Sequence, residues 1–589
     1  MKLRSKILPI VIATVIAQSC IGASVSNTAI DSQKGSYGYF VDTWKNNSKD
    51  NMKPETNPAI GTLSEFLKLW SPGDAWDNGK KINSGVLDEN INKVVTITKN
   101  RTSSEEHQAY LDDRRNQNYS VTDGLGQYTD IFRNGAGAVT TISDIIPNDA
   151  TTVKYEDKGN SKGNWAETTS NLGNMVNLIN VMRNSSASTT PAKNYFKYPR
   201  PWRWSNDVKV LPTLVPAKNS DPKEDGGFPS GHTNAATVSA LGLAYAVPER
   251  YQELLTRASE LGNNRIVVGM HSPFDVIGGR VMATAISASA LNNPDNQSVK
   301  AAAYNDAHTK LLTQNGTSID RFSDYATNKK NYIDRLTYGF EQTGDKTKPM
   351  IVPKGSEVLL ETRLPYLDAN QRRLVLYTTG LPSGYPVLDD AEGFGRLNLF
   401  AAADGYGSFV NDVTVIMDAS KGGFNAVDRW RNDISGSGKL TKKGTGMLKL
   451  GGNNTYTGGT EIEAGKLEAD SSSAFGTGKI INNGGTVIEN VSGAVTFGSE
   501  YVQAANSTIE LSIGSKDDLL KIKGDAVFGG TLKLNFVNGY IPTDGSIIIT
   551  SGTNKGETKF ASVVVNGLNS GYKVNVIYKG NEVRLQVEK

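Results

Sequence analysis

Short glycine-led motifs recur after Ser435, and they leave few folds open to that part of the chain. Gly438-Lys439-Leu440 returns as Gly465-Lys466-Leu467 and then as Gly478-Lys479-Ile480, while Gly458-Gly459-Thr460 returns at Gly484-Gly485-Thr486 and at Gly529-Gly530-Thr531. Alternating Val, Ile and Leu run between these motifs and helix formers are scarce, which is the two-residue period of strands. Short strands separated by glycine turns at related but uneven intervals predict the stacked coils of a β-solenoid over 435–589, with a β-sandwich as the alternative. A chain of 589 residues holds more than such an array, so a multidomain architecture is expected.

Upstream the texture changes to polar loops between apolar-periodic stretches that read as helices. Thr233–Ala246 and Asp275–Leu291 are dense in Ala and Leu and read as buried helices; Val299–Leu312, Lys330–Phe340 and Asn370–Tyr377 carry further helical patterns. Residues 24–300 are therefore expected to form a mostly α-helical core and 301–434 its continuation. Within the latter, Arg363-Leu364-Pro365-Tyr366 and Gly393 to Gly405 read as packed segments and as candidates to cover a site.

The first 23 residues read as an export signal: Lys2, Arg4 and Lys6 form a basic head, Ile7 to Ala17 an apolar stretch, and small residues follow to Ala23, the expected cleavage site. The sole cysteine, Cys20, lies inside this segment, so the mature chain is expected to have no disulfide or thiolate metal site. Lipidation of Cys20 is the alternative, with Ala17-Gln18-Ser19 a poor lipobox. No later segment reaches the apolar run of about 20 residues that a membrane helix needs, so no transmembrane segment is expected in the mature chain. With 63 basic against 60 acidic residues there is no field of one sign to attract nucleic acid, and any phosphate recognition must be local.

Of the four histidines, His232 and His271 stand in a constellation: Lys193, then Arg200-Pro201, then Pro229-Ser230-Gly231-His232, then Arg265, His271 and Asp275. Ser230 and Ser272-Pro273 each immediately precede a helical stretch and read as N-caps, with Pro273 at the first helical position. Gly231-His232 and His271 are thereby placed at helix starts, where free N–H groups and the dipole favour an anion. Lys193, Arg200 and Arg265 add fixed positive charge for the oxygens of a phosphoryl group, where each preorganised donor contributes roughly 3 to 4 kcal/mol in the transition state. The four-residue spacing of His271 and Asp275 stacks them on one helix face, so that the carboxylate accepts from Nδ1–H and leaves Nε2 free as a nucleophile. His232 is left as the general acid for the leaving group and then the base for water. No metal or other cofactor is required.

In order and spacing this set resembles the type 2 phosphatidic acid phosphatase superfamily, and within it the bacterial class A non-specific acid phosphatases. The resemblance implies an acid phosphatase or vanadium haloperoxidase-like helical bundle, with the same assignment of His271 as nucleophile and His232 as acid. It implies hydrolysis of small soluble phosphate monoesters through a phosphohistidine. A neutral His271 paired with a protonated His232 predicts a bell-shaped pH profile with an acidic to neutral optimum, and inhibition by vanadate but not by EDTA is expected. Vanadium haloperoxidases resemble the same residue set, so halide oxidation is the alternative chemistry. The segment Gly451 to Thr460 resembles the strand repeat of bacterial autotransporter passenger regions, while no room for a membrane barrel is expected after the repeats. This implies an exported protein, periplasmic, cell-surface or extracellular, and an adhesin or glycan-contacting role for the β-repeats as a further alternative.

Other residues read as structural. His107 and His308 enter no constellation; Trp202 and Trp204 read as core packing before leaving-group contact; Asp221, Glu224 and Asp225 read as a solvated loop and not a metal site. Asn264, where the resembling family carries serine, is expected to donate to phosphate. Pro382-Ser383-Gly384-Tyr385 repeats the tripeptide before His232 but has tyrosine in the acid's place.

Overall fold

The computed structural model describes residues 25–35 and 37–589, so the export-signal and Cys20 readings lie outside the described residues. The chain forms two compact units: a helical one of Ser26–Tyr406 with Gly422–Asn425, and a β unit of Gly407–Lys421 and Ala426–Lys589.

In the helical unit the elements used below are α1 (Ser84–Asn100), α2 (Ser103–Arg114), α3 (Gly173–Met182), α4 (Thr190–Phe196), α5 (Gly231–Ala246), α6 (Tyr251–Val267), α7 (Pro273–Asn292), α8 (Gln297–Asp306), α9 (Tyr325–Thr337) and α10 (Ala369–Thr379). Helices α5 and α7 are buried along nearly their whole length, which is why their sequences are apolar on all sides. Each starts where its cap dictates: Ser230 Oγ accepts from the Thr233 N–H, and Ser272 with Asp275 forms a reciprocal capping box with Pro273 following. The expected helix over 299–312 is α8 followed by a wider π turn, Ala307–Leu311, and the one over 330–340 begins earlier, at Tyr325, and stops at Tyr338 in the left-handed region. Helix α7 corrects one expectation, since it is long and apolar enough to cross a membrane. It is a core helix: 83% of its apolar window is buried inside the unit.

Close approach of α5 to α7 depends on glycine at 279, where a Cβ would stand 2.6 Å from the Ser230 carbonyl oxygen. This contact keeps the two capped helix starts side by side.

The β unit is a parallel β-solenoid of about five turns that ends in an antiparallel pair, Lys573–Lys579 with Glu582–Glu588. One seven-stranded sheet runs in sequence order from Val427–Trp430 through Met447–Leu450, Lys466–Ala469, Thr486–Glu489, Thr508–Ile513 and Thr531–Phe536 to Ser562–Asn566. In register, Leu448, Leu467, Val487, Ile509 and Leu532 form one inward ladder, each fully buried. The solenoid reading thus stands and the sandwich does not. The unit's lower boundary moves, however, from 435 to 407. Val413–Ile416 pairs in parallel with Leu440–Lys443, and Val427–Trp430 with Met447–Leu450, so these strands are already solenoid although they lack the glycine motifs.

Candidate active site

The helical unit gathers every residue of the sequence constellation around the starts of α5 and α7. His271, 1% exposed, has Nδ1 3.2 Å from Asp275 Oδ2, and its Nε2 accepts from Arg200 Nη1 at 2.7 Å. A guanidinium only donates, so Nε2 is unprotonated and Nδ1 carries the hydrogen, an assignment that follows from the two partners. Asp275 also accepts from the Ser272 N–H at 2.8 Å, so the capping carboxylate and the imidazole-orienting carboxylate are one group. Its carbonyl takes the Ser230 N–H at 2.8 Å, tying the two helix starts together. Gly227 lets the preceding loop pass this carboxylate: a Cβ there would lie 3.1 Å from both Asp275 Oδ2 and the Pro199 carbonyl oxygen.

The cations close in on the imidazole. Arg200 bonds Asp225 and the Met270 carbonyl as well as His271, and Lys193 on α4 donates to the Gly226 carbonyl. Ser230 is wholly buried and its oxygen accepts from the Thr233 hydroxyl at 2.9 Å, which leaves its own O–H as the proton available to an anion. Gly231 opens α5, where first-turn N–H groups have no intrahelical partner. Arg265, at the end of α6, meets the Asp113 carboxylate, while its Nε is buried without a partner.

His232 lies within the same field and donates from Nε2 to the Asp113 carbonyl at 3.2 Å. A carbonyl accepts only, so Nδ1 is the nitrogen free to exchange a proton. Burial first, then Arg114, Arg200, Lys193 and Arg183, pulls His232 down to about 3. Burial, Arg200, Lys193, Arg265 and His232 hold His271 well below its ordinary value. Burial also raises Asp275 to about 6 and lowers Lys193 to about 7, the latter with help from Arg200. Without an anion, therefore, both imidazoles are neutral, in contrast to the expectation of a protonated His232.

Two further expectations are corrected. Asp225 is not solvated: it is 7% exposed and holds Arg200 at 3.0 Å and Arg203 at 3.1 Å, because two arginines need a shared counter-charge. Asp221 and Glu224 are exposed as expected. Asn264 does not face an anion; its amide donates to Asp112 at 2.7 Å. Trp202 packs against the core with Arg203 and Lys218 over its ring, and Trp204 stacks near Trp70 and Tyr198. His107 bonds the Asp144 carbonyl and His308 bonds Glu249, both outside the cluster. Ser383 of the decoy tripeptide sits in a loop, where Gly384 has φ +94.

Helix α2 carries what sequence reading missed. Asp112 takes a bidentate pair from Arg257 at 2.6 and 2.9 Å, with both side chains 1% exposed, and Asp113 meets Arg265 and Arg114. The run Asp112-Asp113-Arg114-Arg115 was a signal of sorts, three charges closing a helix and a fourth at its C-cap, two of them buried. Among the described residues no group of three or more His, Cys, Asp or Glu is placed to hold a metal ion.

Residues 174–298 match the PAP2 superfamily, and residues 440–469 match the passenger-associated-transport-repeat. The chain is 40% identical over 93 residues to the non-specific acid phosphatase of Salmonella typhi, a stretch that is 16% of this chain and 36% of that protein. It is 33% identical over 202 residues to the Neisserial autotransporter lipoprotein NalP of Neisseria meningitidis, covering 31% of this chain and 18% of that protein. To an extracellular serine protease of Serratia marcescens it is 29% identical over 250 residues, 37% of this chain and 23% of that protein. The chain thus spans about a third of the phosphatase's length and about a fifth of the two longer proteins. Every residue of the constellation lies within 174–298, whereas Asp112, Asp113 and Arg114 lie outside it.

Proposed function

We propose that the PAP2 superfamily domain of this chain is a metal-independent phosphomonoesterase that works through a phosphohistidine on His271, in a protein exported to the periplasm, cell surface or exterior. The observation that carries this reading is the tautomer of His271: Nδ1–H is given to Asp275, and the Nε2 lone pair is aimed at Arg200 in the place where an oxyanion would sit.

In this reading the phosphate ester takes Arg200, Lys193 and Arg265 as counter-charges, and Arg200 exchanges His271 for a phosphate oxygen. Nε2 attacks phosphorus, the ester P–O bond breaks, and His232 delivers a proton from Nδ1 to the departing alkoxide. Water, deprotonated by the same nitrogen, then cleaves the P–N bond and releases inorganic phosphate. Charge accumulating on the equatorial oxygens is met by fixed donors, which is where most of the acceleration arises.

Burial first and the surrounding cations second depress both imidazoles, and the cationic share couples anion binding to proton uptake. An arriving phosphate cancels that positive field, so His232 rises from about 3 towards its ordinary value and takes up a proton at mildly acidic pH. Affinity for inorganic phosphate is accordingly expected to increase as pH falls from about 7 to 5, with uptake of about one proton at pH 5. Titration calorimetry at that pH in two buffers of different ionisation enthalpy checks this; identical heats in both would refute the coupling.

The vanadium haloperoxidase chemistry is separated from hydrolysis by a direct comparison. Turnover of a chromogenic phosphate ester, inhibited by vanadate and indifferent to EDTA, is expected. Halide oxidation with vanadate and peroxide, in the absence of ester turnover, would replace the proposal. For the β unit, the passenger-associated repeat supports export and a surface-contact role, with glycans as the class to test.

A further inference from the structure

Helices α5 and α7 line a second cavity, separate from the histidine cluster although it begins one residue further along each helix. Thr233 follows His232 and Val276 follows Asp275, and both line a cavity of about 20 Å³ together with residues of α6 and α9 and Leu399. Two guanidinium groups, Arg280 of α7 and Arg335 of α9, stand in its wall together with the Tyr338 ring.

The donors here outnumber their acceptors. Arg280 gives Nη2 to the Leu336 carbonyl at 3.3 Å, but its Nε is buried without a partner, as is the Tyr338 hydroxyl. Arg335 donates to Ser259 Oγ at 3.1 Å, and that hydroxyl spends its own proton on the Thr256 carbonyl. Among the described residues neither arginine has a carboxylate within ion-pair distance. Asp390, whose charge is felt at Arg280, is itself engaged by the backbone N–H groups of Glu392, Gly393, Phe394 and Gly395. The rest of the lining is apolar side chains and the hydroxyl residues Thr233, Thr237, Thr284 and Tyr332, none of them negatively charged. Buried donors and uncompensated positive charge are disfavoured unless an acceptor of negative charge is present.

We propose that this cavity binds a small monovalent anion of halide size, held by Arg280 Nε–H and the Tyr338 hydroxyl, with Arg335 as the second cation. A pair of unpartnered donors in a small, mostly apolar cavity suits a weakly hydrated monovalent ion better than a phosphate dianion, whose four oxygens would not all be served. The site is independent of the histidine cluster and of the chemistry proposed there.

The test uses the full chain and sodium bromide as probe. In bromide-soaked crystals an anomalous peak is expected between Arg280 and Tyr338. In solution a saturable rise in melting temperature is expected on replacing sodium gluconate by bromide at constant ionic strength. Tyr338→Phe, which removes one hydroxyl and little volume, is expected to raise the half-saturating bromide concentration about tenfold, and Arg280→Gln to abolish the response. Should Arg280→Gln fail to fold, the Tyr338→Phe shift decides alone. An unaltered bromide response in Tyr338→Phe, a cavity without anomalous signal, or inorganic phosphate found there in preference to bromide would each overturn the assignment.

Discussion

His271→Ala is expected to lower phosphate ester turnover by about ten-thousand-fold or more and to leave no acid-labile, base-stable phosphoenzyme. The size follows from covalent catalysis, where removal of a nucleophile that acts as a unit with its orienting partner removes nearly the whole chemical advantage, and residual rate comes from the surviving anion site. The geometry gives the reason: Nε2 is kept unprotonated by the Nδ1–H to Asp275 contact at 3.2 Å, so the nucleophile is ready without deprotonation. Rapid-quench trapping of labelled phosphate on the parent and the variant measures this. A variant that still accumulates phosphoenzyme would move the covalent step elsewhere, and one that keeps more than about a tenth of parental turnover would rule His271 out as nucleophile.

Arg257→Met is expected to destabilise the helical unit by about 3 to 5 kcal/mol, because it leaves the Asp112 carboxylate as an unpaired charge in the interior. Arg257 is 1% exposed and binds Asp112 through both terminal nitrogens while Nε reaches the Ser120 carbonyl, so one side chain joins α6, α2 and the short helix Gln117–Val121 that follows α2. Asp113, next in line, presents its carbonyl to His232 and its carboxylate to Arg265. Loss of the pair should therefore depress turnover as well as stability, although Arg257 has no contact with the imidazoles. Urea unfolding followed by tryptophan fluorescence reads the first effect. Replacing both partners, Arg257→Met with Asp112→Leu, is expected to restore much of the stability, since an apolar pair of similar volume carries no desolvation cost. A loss below about 1 kcal/mol in the single variant would show that Asp112 is not a buried charge.

Local rules were enough for a large part of this molecule. Ser230, Ser272 and Pro273 fix where α5 and α7 begin through contacts within three residues, and the glycine motifs fix strand and turn through backbone freedom and a two-residue period. Those interactions are short in sequence and so can be read there, which is why the histidine-bearing helix starts and the solenoid both came out of the chain's order alone. Asp113, Asn264 and Asp225 were not readable in the same way. Each takes its partner from far along the chain, Asp112 with Asn264 across 152 positions and Arg200 with Asp225 across 25, and an acidic or amide side chain has the same composition whether it is hydrated or buried against an arginine. The solenoid's start at Gly407 was hidden for a related reason: Val413–Ile416 and Val427–Trp430 become coils by pairing with strands that come later, not by any motif of their own. Packing alone sets which charges lose water and meet, and the depression of the imidazoles, by burial first and by converging cations second, is a property of the folded interior, where water is excluded and low dielectric makes a neighbour's charge count.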